Sequence, residues 1–178
     1  MKEAIQAMRS AFIELINGNA KVPNRLNLDL SDSNATSLIM PAYSIGSQYY
    51  CVKIVSVNYS NPIKGLPLIH STVQVFDVSE GKHIASFDGE SITAIRTAAA
   101  SGLATDLLAK KEANICAIFG TGIQASSHLT AIKKVRKIQK YMIFSRSEIN
   151  AEKFCKTHSK KVKCEIGSIE NLKEADII

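Results

Sequence analysis

"NICAIFGTGIQASSHLTAI", residues 114–132, decides the fold. The apolar run that ends at Phe119 reads as a buried strand, and from Ile123 onward the apolar residues recur at helical spacing. Gly120 permits a tight turn between the two. Gly122 lets main chain approach a pyrophosphate, and Ala125 fills the third position, where only a small residue lets the helix pack on the strand. The helix start offers free N–H groups and a positive dipole end to phosphates. A lone G-x-G-x-x-A is a common turn pattern. This one follows a strand, opens a helix and leads to a second strand about 20 residues later, the context that a dinucleotide fingerprint requires. Gly120, Thr121, Gly122, Ile123, Gln124 and Ala125 are therefore the expected cofactor contacts.

Downstream, strands and helices alternate: strand 141–145, helix 150–157, strand 162–166 and a last helix around 169–174. Such alternation calls for a parallel sheet with helices on its faces. The strand beginning at Tyr141 ends in Phe144-Ser145-Arg146 with no carboxylate to hold ribose hydroxyls. Ser145 can hydrogen-bond a 2′-phosphate and Arg146 can neutralise it, which favours NADP(H) over NAD(H).

Upstream the pattern changes. Residues 2–17 form an amphipathic helix stopped by Asn17-Gly18. Short strands follow at Arg25–Leu30 and at Ser37–Met40, the latter halted by Pro41. Longer strands are expected at Tyr49–Val57, Ile69–Val78 and His83–Phe87, with Ser79-Glu80-Gly81-Lys82 turning the last pair. Ser91–Leu108, rich in Ala, reads as a long, closely packed helix. The expected class is α/β: an incomplete, Rossmann-type doubly wound parallel sheet over residues 110–178, a smaller α+β substrate-binding and dimerisation part over 1–90, and a bridging helix over 91–109.

Composition narrows the class further. The 178 residues are 46% apolar and 21% charged, values of an ordinary globular chain. No apolar run nears the ~20 residues of a membrane span, and MKEAIQAMRS has no signal-peptide core. A cytoplasmic protein without membrane contact is expected. Residues 1–100 carry 8 Lys+Arg and 8 Asp+Glu, whereas residues 101–178 carry 14 against 8, so the later part holds the whole +6 charge. The clusters Lys133-Lys134-Val135-Arg136-Lys137 and Lys160-Lys161-Val162-Lys163 lack interleaved aromatics and read as solvated faces, not as a nucleic-acid surface. Cys51, Cys116, Cys155 and Cys164 show no C-x-x-C or zinc spacing, and no metal is expected; Cys51 and Cys116 read as small buried apolar residues. His70, His83, His128 and His158 lack acidic or metal partners in the sequence.

Three cations sit in unusual company. Lys53 shares a strand face with Cys51, Val55 and Val57. Arg96 lies in a helix of small residues with no acid three or four positions away. Arg25 follows Val22-Pro23-Asn24. A substrate carboxylate is one partner for such groups, taken bidentately by Arg and as a point charge by Lys; a structural ion pair, or for Arg25 plain solvent exposure, is the other reading.

"VPNR", "MPAY", "VKIVSV", "NPIKGLP", "DGESITAIRTAAASGLA" and "IFGTGIQA" together resemble the ornithine cyclodeaminase/mu-crystallin family over essentially the whole chain. The resemblance implies an NAD(P)(H)-binding Rossmann domain joined to a part that binds a small amino or imino acid and forms a homodimer. It places Arg25, Lys53 and Arg96 on the family's substrate-carboxylate positions, with Lys53 also the candidate catalytic residue. The chemistry it implies is hydride transfer at an α-carbon bearing nitrogen: conversion of ornithine to proline plus ammonia, or reduction of a ketimine. Ser145-Arg146, in place of an acidic residue, points to the NADP-linked reductase branch, and Leu68, in place of a Thr of the cyclodeaminases, argues against ornithine. Family members are close to twice this length, and their catalytic Asp lies in a later part; Asp176 comes too early to be that residue. A chain ending within the strand-like Ala175-Asp176-Ile177-Ile178 is expected to be a shortened piece, and a non-catalytic NADP(H)-binding role is the alternative reading.

Overall fold

The computed structural model describes residues 1–160 and 162–178, so Lys161 of the second basic cluster lies outside the described residues. Two compact units are formed: residues 10–93, and residues 1–9 together with 94–178.

In the first unit the described residues build one antiparallel sheet. β1 (Ala20–Lys21) and β2 (Leu26–Leu30) both pair with β3 (Ala35–Ser44), and β4 (Tyr49–Asn58), β5 (Ile69–Asp77) and β6 (His83–Asp88) follow in order. The β-branched and aromatic run Tyr49–Val57 explains the central position of β4. Tyr50 lies opposite Phe76, and their rings stack at 5.1 Å. The β5–β6 turn is closed by Asp77, whose Oδ1 accepts from the Ser79 N–H at 2.8 Å and the Glu80 N–H at 3.0 Å.

β3 does not stop at Pro41 but runs through it to Ser44. Proline breaks a ladder by lacking a donor. On one side of β3, β1 ends opposite Tyr43 and β2 begins opposite Ile39, so position 41 has no ladder partner there to lose. β2 is exposed along its whole length, with Leu26, Leu28 and Leu30 all at least 41% accessible.

The helix α2 (Gly89–Leu108) starts in this unit. Asp88 caps it, its carboxylate accepting from the Ser91 N–H at 2.7 Å. Gly89 is required by packing: a Cβ there would lie 2.4 Å from the Ser71 Oγ and 2.7 Å from the Ser71 carbonyl carbon.

The second unit holds a parallel sheet. β7 (Ile115–Phe119), β8 (Lys140–Phe144) and β9 (Cys164–Ile166) pair in that order. Ile177 bridges the other flank of β7, parallel to Cys116. With this single bridge counted as the fourth position, the order of appearance is 3-2-1-4, the arrangement of a doubly wound nucleotide-binding sheet. β8 is the centre: Tyr141, Met142 and Ile143 are fully buried, as a strand covered on both faces must be. α3 (Ile123–Val135) and α4 (Glu148–His158) supply Leu129, Ile132, Ala151 and Phe154 to the same core. α1 (Lys2–Ile16) lays Ile5 on Ala99 and Leu103 of α2. Gly102 makes this possible, since even a Cβ there would meet Ile5 at 3.0 Å and Ala131 at 3.2 Å. The expected last helix is a short 3-10 turn, Leu172–Glu174.

All four cysteines are free thiols. Cys116 is completely buried and its pKa is pushed up to about 12; the half-buried Cys51 is raised by the same desolvation. Arg136 departs most from the expectation of a solvated cluster. It is 6% exposed, and its guanidinium donates to the carbonyls of Thr105 (2.8 Å), Asp106 (3.1 Å), Ala109 (2.8 Å) and Lys110 (2.8 Å). It closes the C-terminal end of α2, where helix carbonyls run short of backbone donors.

Asp176 anchors the segment that flanks β7. Its carboxylate accepts from the N–H groups of Asn114 (2.9 Å) and Ile115 (3.1 Å), and these bonds hold its pKa below the usual range. The unfolded chain therefore takes up the proton first. The stabilisation is fully present above the ordinary carboxylate pKa of about 4 and fades as pH falls through the lower native value. Asp176→Asn is expected to lower urea resistance at pH 7 and to make the loss between pH 5 and pH 3 shallower than in the unaltered chain. An unchanged pH slope would remove this role.

Candidate functional site

At the end of β7 the chain turns through Gly120, whose φ of +109° is a conformation that side chains disfavour. Its N–H donates to the Phe144 carbonyl at 2.7 Å, which ties the turn to the end of β8. Gly122 is the N-cap of α3 in an extended conformation (φ −82°, ψ −172°), and no side chain caps the helix. The first-turn N–H groups of α3 are thus left facing outward. A Cβ built on Gly122 would meet nothing within 4 Å. Neither backbone conformation nor packing of the free chain asks for glycine at 122, so the space above it is what glycine preserves. Ala125 is buried against the sheet beside Ile118 and Ile143. The Gln124 Oε1 is buried without a hydrogen-bond partner among the described residues. Open space and uncapped donors together fit the pyrophosphate of a dinucleotide.

Beside this turn an open cleft of roughly 1000 Å³ lies across the C-terminal ends of β7, β8 and β9. Crevices outside the carboxyl ends of the strands are where doubly wound sheets bind ligands. Phe119 and Phe144 stack at 4.5 Å and 11° and form an apolar surface in it. Gly167 makes the close packing possible, since a Cβ there would lie 2.4 Å from the Phe144 ring. Ser145 and Arg146 line the cleft and are exposed. Ser145 Oγ accepts from the Ser147 N–H at 3.2 Å, and Ser147 Oγ accepts from the Asn150 N–H at 3.4 Å as the cap of α4. Arg146 has no hydrogen bond or ion pair among the described residues. Glu148 also lines the cleft, so one carboxylate stands near the arginine.

Gly120, Thr121, Ser145 and Arg146 thus share one cleft, while Ile123, Gln124 and Ala125 form the first turn of α3 next to it. The sequence reading missed Phe119, Phe144, Asn150 and Gly167. Apart from the glycine they carry no chemical signature, and their common place arises from parallel pairing of three strands.

In the antiparallel unit, Lys53 is half-buried on β4 between Met40 and Val73 in register. Its ammonium donates to the Thr93 Oγ1, and the Thr93 hydroxyl in turn donates to the Gly89 carbonyl at 2.6 Å. Arg25 lies in the exposed segment just before β2. Arg96, three residues beyond Thr93 on α2, is exposed. Neither arginine is ion-paired among the described residues. Among the described residues, no set of three or more His, Cys, Asp or Glu side chains could hold a metal ion, and no helix is long and apolar enough to cross a membrane.

The profile of the Ornithine cyclodeaminase/mu-crystallin family matches residues 1–178, and the chain belongs to that family. A Delta(1)-pyrroline-2-carboxylate reductase of Bacillus cereus is 33% identical over 182 residues, covering 100% of this chain and 56% of the relative. The mouse ketimine reductase mu-crystallin is 30% identical, with 98% and 56% covered. Among solved structures, the Thermococcus litoralis Delta(1)-pyrroline-2-carboxylate reductase in complex with NADH and L-proline superposes with a TM-score of 0.87 at 38% identity, over 99% of this chain and 56% of that one. The chain therefore spans about half the length of the relatives it matches.

Proposed function

We propose that this chain carries the cofactor-binding and carboxylate-binding parts of an NAD(P)(H)-dependent reductase of small cyclic imino acids, of the kind that reduces pyrroline-2-carboxylate. The observation that carries the reading is Gly122: a glycine that the free fold does not need, at the uncapped start of α3. A bound nicotinamide supplies or accepts the hydride. What the chain contributes is binding and charge. The first turn of α3 holds the pyrophosphate, and the Phe119–Phe144 surface supports the adenosine half. Ser145 and Arg146 take a 2′-phosphate, so NADPH is preferred to NADH. Arg25, Lys53 and Arg96 hold the substrate carboxylate. Lys53 is fixed for this by Thr93, and its positive charge also disfavours protonated, cationic competitors at the same place. The same reading assigns residues 1–90 to substrate binding and dimerisation, residues 91–109 to a bridging helix, and residues 110–178 to the nucleotide. It makes the protein a cytoplasmic homodimer.

Two titrations test it. NADPH and NADH are titrated against the purified chain by fluorescence, and NADPH absorbance is then followed with a cyclic ketimine carboxylate. Saturable binding, tighter for NADPH, is expected; equal affinities would remove the NADP preference. Tight binding without any substrate-dependent oxidation would leave a nucleotide-binding role and withdraw the reductase role for this chain alone.

A further inference from the structure

The first turns of α3 and one side of α4 border a second, open cavity of roughly 450 Å³. Ala151 and Phe154 fix the orientation of α4 by burying themselves in the core. Asn150, Lys153 and Thr157, spaced by three and four residues, consequently line the cavity together with Ser126 and His158 of its walls. Ser126 Oγ and His158 Nε2 are 3.1 Å apart, and the His158 ring packs on Phe154 at 4.5 Å, which ties the last turn of α4 to α3. Thr121 and Asn150 line both this cavity and the large cleft. The two spaces therefore meet at the phosphate turn.

Charge distinguishes the two. A 2′-phosphate brings close to two negative charges. In the large cleft Arg146 offers one positive charge and Glu148 brings one negative charge. The second cavity is lined by no acidic residue, and its cation is Lys153, exposed and with no side-chain hydrogen bond or ion pair among the described residues. We propose that Lys153 is the second cation of the cofactor's 2′-phosphate and a determinant of the preference for NADPH, reaching it from the α4 side past Asn150 while Arg146 meets it from the strand end. This rests on the cofactor reading above. Arg146 alone would leave the phosphate uncompensated; Arg146 and Lys153 together outweigh Glu148.

Lys153→Met keeps the stem and removes the charge. Dissociation constants for NADPH and NADH, measured on the full chain with its thermal melt as a control, are expected to change unequally: NADPH weaker by about 10-fold, NADH within about twofold. Lys153→Arg should retain the NADPH preference. An unchanged NADPH affinity overturns the proposal. Equal weakening of both nucleotides also overturns it, since Lys153 would then serve the pyrophosphate or the fold. An unaltered chain that binds neither nucleotide overturns the cofactor reading itself, and this inference with it.

Discussion

Gly122→Asp should abolish nicotinamide-nucleotide binding, weakening it by more than about 100-fold, in a chain that is as stable as before or slightly more so. The two effects come from one position. Residue 122 is an extended N-cap with nothing near its missing Cβ, so an aspartate fits without strain and caps the bare start of α3. The carboxylate then occupies the space over the helix start and repels the phosphates that would lie there. Binding by fluorescence titration and melting by calorimetry separate the readouts. A variant that still binds NADPH within a few-fold would place the cofactor elsewhere. One that melts well below the unaltered chain would make Gly122 a structural residue, contrary to its surroundings.

Arg136→Met should be among the most damaging single changes outside the site, costing about 3 kcal/mol or more. Methionine fills much of the volume but offers no donor to the carbonyls of Thr105, Ala109 and Lys110 near the end of α2, which the guanidinium now meets at 2.8 Å. It also removes the contact to Asp106 at 3.4 Å, where Arg9 is held at the same distance. For a chain of this size the melting temperature should fall by about 6–12 °C. Arg136→Lys should recover less than half of the loss, because an ammonium cannot span carbonyls that a planar five-donor fork reaches together. Urea unfolding of the three chains decides it. A Lys variant equal to Arg would mean that charge alone matters at this helix end.

The sequence disclosed what short-range pattern controls. The strand–Gly-x-Gly–helix unit was legible because turn, cradle and helix start all fall within Phe119–Ala125, and β4 because its β-branched run admits no other structure. Arg136 was not legible. In a run of lysines it looks solvated, and its burial is decided by carbonyls some 26 to 31 residues earlier. The course of β3 through Pro41 depends on a gap between two other strands, which no local rule contains. Lys153 went unnoticed for a related reason: its significance comes from which side of α4 the core claims.

The hydrogen bond from Gly120 to the carbonyl of Phe144 involves main chain only, and the packing that supports it is made by Phe119, Phe144 and Gly167. Ser145 and Arg146 stand immediately beyond, exposed and outside that framework. Descendants of such a chain can exchange these two side chains while the turn and its supports stay as they are. Cofactor preference is then open to drift and selection at little structural risk, whereas the glycines beneath it are not.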